Sequence, residues 1–267
     1  GDWGKAVKIH EFITRNINYS FVPFRQSGWV PQAAKDVLAT RIGDCKDMAS
    51  LGKCLMDIAG IKSWLVLVNT GIHHFTEHAF IGPNFDHCIL QFETGGKTTY
   101  VDFTDRNTAI GRLPSADQGA MALVIKPGNR DITVLPIDTP EKRLIHRDIT
   151  MQLDSNGTLK QTMKTTRRGI FASQLRSVYR FQNENERKTD LHRAISSEHP
   201  DVTIDTMFFD NLESVIDSVG FTYSITARNA ANVSGSTIIY SLKMPDILGS
   251  GYYPVEQNRK NPVDISS

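Results

Sequence analysis

Apolar residues at the start of the chain recur with helical period. Trp3, Ala6, Val7, Ile9, Phe12 and Ile13 follow that spacing and predict a helix over residues 3–16. A loop containing Gly and Pro follows. Pro31 then suits the first position of a second helix, which Ala33, Ala34, Val37 and Leu38 continue until Gly43 stops it. From Cys45 the polar residues Lys46, Ser50, Lys53 and Asp57 fall on one stripe of an otherwise apolar or small-residue helix, closed by Gly60. Residues 64–68 are apolar on both faces, as a strand inside a domain must be. Two further strands, 87–92 and 98–103, flank Thr94-Gly95-Gly96-Lys97, a tight hairpin signal. Helices followed by strands predict an α+β unit whose core joins the Cys45 helix to these three strands.

Beyond about Arg143 the pattern changes to mainly β. Segments 144–153 and 158–166 flank the turn Asp154-Ser155-Asn156-Gly157, and 202–209, 220–228 and 236–244 alternate in the manner of strands. Two helical stretches, 170–181 and 184–197, interrupt them. The Pro-containing segment 136–140 reads as a linker, giving a first domain over 1–135 and a mainly β, sandwich-like accessory domain over 141–267. Gly1 ahead of Asp2 reads as a cloning remnant and the end stops within a pattern, so the chain is expected to be a piece of a longer protein with further domains.

Composition narrows the function classes. With 40% hydrophobic and 22% charged residues the chain is ordinary for a globular protein, and no stretch approaches the roughly 18 consecutive apolar residues of a membrane helix. Thirty Lys and Arg against 29 Asp and Glu leave a net charge of +1, far from the basic excess of a nucleic-acid binder. Three cysteines cannot all pair and do not form a disulfide framework.

One of them stands at a reactive address. Gly43-Asp44-Cys45-Lys46-Asp47 puts Cys45 in the first turn of a helix, where the helix amides favour a thiolate, while the Asp44 and Asp47 carboxylates oppose it. Asp44 also suits the N-cap. An imidazole partner would decide between these effects. A tight turn centred on Gly95-Gly96 sets His87 opposite Thr104 and Asp102 opposite Ile89, so His87 and Asp102 project from the same face of the hairpin. Asp102 is then placed to orient His87, and His87 to activate Cys45, the logic of a nucleophilic triad.

These residues resemble a family. Arg41-Ile42-Gly43-Asp44-Cys45-Lys46-Asp47, Ala59-Gly60-Ile61, Val66-Leu67-Val68, Phe85-Asp86-His87 and Tyr100-Val101-Asp102-Phe103-Thr104, in that order, resemble the core of the transglutaminase-like superfamily. The resemblance runs over about residues 3–126. It implies a papain-like fold with Cys45 as nucleophile, His87 as general base and acid, and Asp102 as orienter, acting on a peptide or protein; no cofactor or metal is expected. The mainly β remainder resembles the domain that follows this core in large secreted bacterial proteins, which implies a periplasmic or extracellular location.

The other candidates carry less chemistry. Cys54, mid-helix, and Cys88, facing away from His87, read as buried thiols. His73-His74 and His78 invite a metal reading, but Gly71, Phe75 and Thr76 do not promise the helix it needs, and an exposed loop near a substrate cleft is expected. An oxyanion needs a donor besides the Cys45 amide; Trp29 is the first candidate, with Gln26 and Gln32 weaker and Asp44 adjoining the site. No acidic loop resembles a calcium site. The expected activity is acyl transfer on an amide, with hydrolysis of the peptidase or deamidase type favoured over cross-linking. The alternative is a non-catalytic binding or scaffold module of a larger cell-envelope protein.

Overall fold

The structure, a computed structural model, describes residues 1–20, 30–73, 85–128 and 132–242, and of 71–73 the backbone only. The chain is α+β and forms two compact units. One comprises Gly1–Asp148, Lys164–Glu184 and Phe208–Thr222; the other comprises Ile149–Met163, Asn185–Met207 and Tyr223–Ser267. No helix among the described residues is long and apolar enough to cross a membrane.

The first unit opens with α1 (Asp2–Asn16), whose buried face carries Ala6, His10, Ile13 and Thr14. Then follow β1 (Asn18–Tyr19), α2 (Ala34–Thr40), β2 (Ile42–Gly43) and α3 (Cys45–Ile58). The short strands β1 and β2 pair in parallel, Asn18 with Ile42 and Tyr19 with Gly43, a bridge the hydropathy pattern did not announce. Helix α2 begins at Ala34 rather than at Pro31. The reason is tertiary: the Gln32 amide N–H donates to Asp47 Oδ1 at 2.7 Å, which draws the segment ahead of α2 toward the start of α3. The end of α3 is closed by Gly60 N–H to Asp57 O and Ile61 N–H to Met56 O, the paired bonds of a Schellman cap.

Strands β3 (Ser63–His73), β4 (His87–Thr94), β5 (Lys97–Val101), β6 (Ala120–Val124) and β7 (Ile132–Val134) form one antiparallel sheet in the order β5-β4-β3-β6-β7. The strand apolar on both faces, β3, is central, as its composition requires. Gly95 and Gly96 both take positive φ, the requirement of a two-residue hairpin turn whose twist matches its strands. The resulting β4–β5 register pairs Leu90 with Val101 and Gln91 with Tyr100, the register predicted from the turn.

The two faces of this sheet carry different cores. Ala6, Ile13, Val37, Met48, Leu51 and Met56 from the helices meet Leu90, Phe92, Val101 and Phe103 on one side. On the other, Val66, Val68 and Ile89 pack with Leu113, Ala120, Ala122, Val124 and Leu135. Each fully buried large side chain contributes about 1.5–3 kcal/mol. Helix α3 approaches its sheet closely because Gly52 has no Cβ: one built there would lie 2.2 Å from Phe103 Cε2. Strands β6 and β7 went unpredicted because the chain around them is short-stranded and broken by Pro and Gly.

After a short 3-10 turn (Pro140–Lys142) come β8 (Ile145–Leu153), β9 (Leu159–Arg168), α4 (Ile170–Tyr179), α5 (Glu184–Ser196), β10 (Val202–Asp210) and β11 (Ser218–Ala227), close to their predicted positions. These four strands form a sheet in the order β10-β11-β9-β8. The single strand expected over 236–244 is instead a small antiparallel pair, β12 (Asn232–Ser234) and β13 (Thr237–Ile239), because the chain reverses at Gly235 with positive φ. Helix α4 belongs to the first unit. Its Arg176, 1% exposed, donates to the carbonyls of Asn107, Ser214 and Ile216 and so ties together three segments of that unit.

Candidate active site

Cys45 is the first residue of α3, and a reciprocal capping box holds the turn before it. The Asp47 amide donates to Asp44 Oδ1 at 3.1 Å, and the Asp44 amide donates to Asp47 Oδ2 at 3.2 Å. The two carboxylates that would oppose a thiolate are thus committed elsewhere. Asp44 is ion-paired with Lys46, and Asp47 accepts from the Gln32 backbone and, at 2.5 Å, from the Gln32 side-chain amide. This arrangement ties the Gln32 side chain to Asp47. Asp44 serves as the helix cap through one oxygen and pairs with Lys46 through the other. Trp29 and Gln26 lie outside the described residues, as do His74, His78 and the His73 side chain.

His87 opens β4, paired with Val68 of β3. The residue before it is pinned: Asp86 accepts from the Thr70 amide at 2.9 Å and from the Thr70 hydroxyl at 2.6 Å, while its own amide donates to Val68 O. Burial alone would raise the Asp86 carboxyl, but the Thr70 hydrogen bonds and the His87 charge hold it below the usual range. Asp102 lies just past the end of β5, on the predicted side, with Oδ2 3.2 Å from His87 Nε2. Its oxygens are held by the Thr104 amide at 2.8 Å and the Thr104 hydroxyl at 2.8 and 2.9 Å. The carboxylate is therefore aimed before the imidazole reaches it.

The structure brings His87 and Asp102 together, and Cys45 lies near enough to add to the proton affinity of the His87 ring. Burial lowers the His87 pKa, but the bond to Asp102, the nearby Cys45 and the charges of Asp102 and Asp117 outweigh it, and the imidazole is pushed up to about 11. That direction favours the imidazolium.

Two neighbours went unnoticed in the sequence. Tyr19, opposite Gly43 on β1, lies close enough that the charges of Cys45 and Asp44, after burial itself, raise its phenol pKa. Asp117, on the turn before β6, puts Oδ1 3.8 Å from His87 Nε2. No motif marks it, because a lone Asp after Pro114-Ser115-Ala116 reads as a turn residue. The donor atoms of His87, Asp102 and Asp117 all lie within 4.8 Å of one another, a spacing a small cation can also bridge.

The remaining cysteines differ. Cys88 is buried, and burial followed by the charges of Cys45 and Asp44 pushes its thiol up to about 12. Cys54 is exposed, not buried as expected. It adjoins the polar stripe of Lys53 and Asp57, which on a helix is wide enough to carry it into solvent.

No family model and no curated protein matches the chain. Among solved structures it is similar to one described as "a Putative Cysteine Protease" from Cytophaga hutchinsonii, at 20% identity and a TM-score of 0.29, over 51% of this chain and 49% of that chain. The chain thus spans about half the length of that structure.

Proposed function

We propose that this protein is a transglutaminase-like cysteine enzyme that carries out acyl transfer on an amide bond of a peptide or protein, with water as the usual acceptor. The observation that carries the reading is one imidazole paired with an oriented carboxylate, with a helix-terminal thiol near enough to add to its proton affinity. Asp102 fixes the ring, and an imidazolium near Cys45 favours the thiolate. Attack by Sγ on the scissile carbonyl carbon forms a C–S bond and places the developing negative charge on the carbonyl oxygen, within reach of the Cys45 backbone amide. His87 then gives its proton to the leaving nitrogen as the C–N bond breaks, producing a thioester and a free amine. Neutral His87 next takes a proton from water, whose oxygen attacks the thioester; the acid product leaves and the thiolate–imidazolium pair is restored.

The test is alkylation of Cys45 by iodoacetamide at pH 6. A simple thiol with pKa near 8.5 is only about 0.3% thiolate there, so an ion-paired Cys45 should react at least about tenfold faster even after its lower intrinsic nucleophilicity. The expected result is fast labelling of wild type and slow labelling of His87→Ala. Wild-type labelling at the rate of a simple thiol would overturn the reading in favour of a binding module. A peptide-library cleavage screen of wild type beside Cys45→Ala then identifies the substrate.

A further inference from the structure

His87 has two carboxyl neighbours where a triad needs one. Asp102 is the saturated one, its oxygens held by Thr104 as well as by the ring. Asp117 is 1% exposed, its Oδ1 lies 3.8 Å from the same Nε2, and its Oδ2 is buried with no hydrogen-bond partner. The backbone cannot swing it out, because Asp117 N–H donates to Pro114 O and Ala120 N–H donates to Asp117 O, both at 3.1 Å. An ionised carboxylate with a dry orphan oxygen is costly, and a proton on it removes most of that cost.

We propose that Asp117 is a positioning residue for His87: a buried carboxyl that is neutral at rest and, once it loses its proton, becomes a second anion that keeps the ring charged as pH rises. This rests on the acyl-transfer reading, in which a charged His87 maintains the thiolate and later supplies a proton. The charged groups facing Asp117 are His87 at the start of β4, Asp86 just before it, and Asp102 and Asp105 beyond the end of β5. Burial comes first and the Asp102 charge second in raising the Asp117 carboxyl well above the usual range, with Asp105 and Asp86 adding to it and the His87 charge opposing them. Of two carboxyls around one imidazolium, the proton goes to the one that keeps a buried oxygen without a hydrogen-bond partner.

The sign follows directly. Below the Asp117 titration the side chain is neutral, and replacing it by Asn changes little around the ring. Above it, wild type has an anion where Asp117→Asn has none, so the variant should surrender the His87 proton at lower pH. The measurement is the His87 ring 15N signal from pH 5 to pH 11 in wild type and Asp117→Asn, read alongside Cys45 alkylation by iodoacetamide. Superimposable behaviour at pH 5 to 6 is expected, followed by divergence above neutrality, with His87 deprotonating about one unit lower in the variant, a tenfold change. Curves that coincide over the whole range, or that already differ at pH 5, overturn the proposal.

A second readout needs no variant. The 13C signal of the Asp117 carboxyl in wild type should titrate near neutrality; a midpoint below about 4.5 overturns the proposal. Stoichiometric zinc that copurifies with the protein, is lost in Asp117→Asn, and whose removal by EDTA shifts the His87 signals would also overturn it, in favour of a metal site. Fast Cys45 labelling at pH 6 with no divergence sinks this inference alone. Slow labelling at pH 6 sinks the acyl-transfer reading and leaves the carboxyl titration to be judged by itself.

Discussion

Gly52→Ala isolates the contact that sets the distance between the Cys45 helix and the end of the β4–β5 hairpin. Two effects oppose. Alanine is the better helix former by about 1 kcal/mol, so in an open helix the change would stabilise. Here the new Cβ meets Phe103 Cε2 at 2.2 Å and Cζ at 2.6 Å. Carbon atoms are comfortable at about 3.5 Å, so the ring must retreat by roughly 1.3 Å. Phe103 is 1% exposed and packed beside His10, with ring centroids 6.0 Å apart, so its retreat displaces buried neighbours. Overpacking of this kind costs about 1–3 kcal/mol, so the net change should be a loss of up to about 2 kcal/mol, read as a lower urea midpoint at unchanged slope. The displacement also reaches the site, because Phe103 follows Asp102 in the chain. A shift of about 1 Å at an orienting group is worth up to a hundredfold, so Cys45 alkylation at pH 6 should slow by roughly ten- to a hundredfold. Phe103→Leu combined with Gly52→Ala makes room for the methyl and should recover part of both losses. A Gly52→Ala protein more stable than wild type and equally reactive would refute the close-approach argument.

Asp102→Asn should leave the fold intact and lower peptide turnover by roughly ten- to a thousandfold, since an amide can hold His87 in the wrong tautomer; combined with Cys45→Ala it should cost no more than Cys45→Ala alone. Asp47→Ala removes the acceptor for Gln32 and half of the capping box, and should cost about 2 kcal/mol in urea unfolding, whereas exposed Asp57→Ala should fall within about 0.5 kcal/mol. Buried His10 has its pKa pushed down to about 4, chiefly by burial, against the pull of Asp102 and Asp105. Its contribution is complete above its unfolded pKa near 6.5 and is lost as pH falls toward about 4, worth about 3 kcal/mol in all, and the acid slope of unfolding free energy should flatten in His10→Gln.

Much of the site was legible because it depends on local rules. The apolar period and the N-cap placed Cys45 at the start of a helix, and a two-glycine turn set the β4–β5 register, which put His87 and Asp102 on one face without reference to the rest of the chain. Side-chain alternation along a strand is geometric and survives any packing. What the sequence could not carry was every contact joining residues far apart in the chain. Gln32 looked like an unattached amide until the structure tied it to Asp47, and its backbone bond to the same carboxylate moved the start of α2 to Ala34. Asp117 looked like a turn residue until the turn before β6 buried it against His87. Cys54 looked buried because helical period alone does not give the width of the solvated stripe. Period and propensity determine which elements form and which way side chains point along them. The charge state of His87 depends on which carboxyls lie within about 4 Å in a dry interior, and only the tertiary packing of β4, β5 and the turn before β6 decides that.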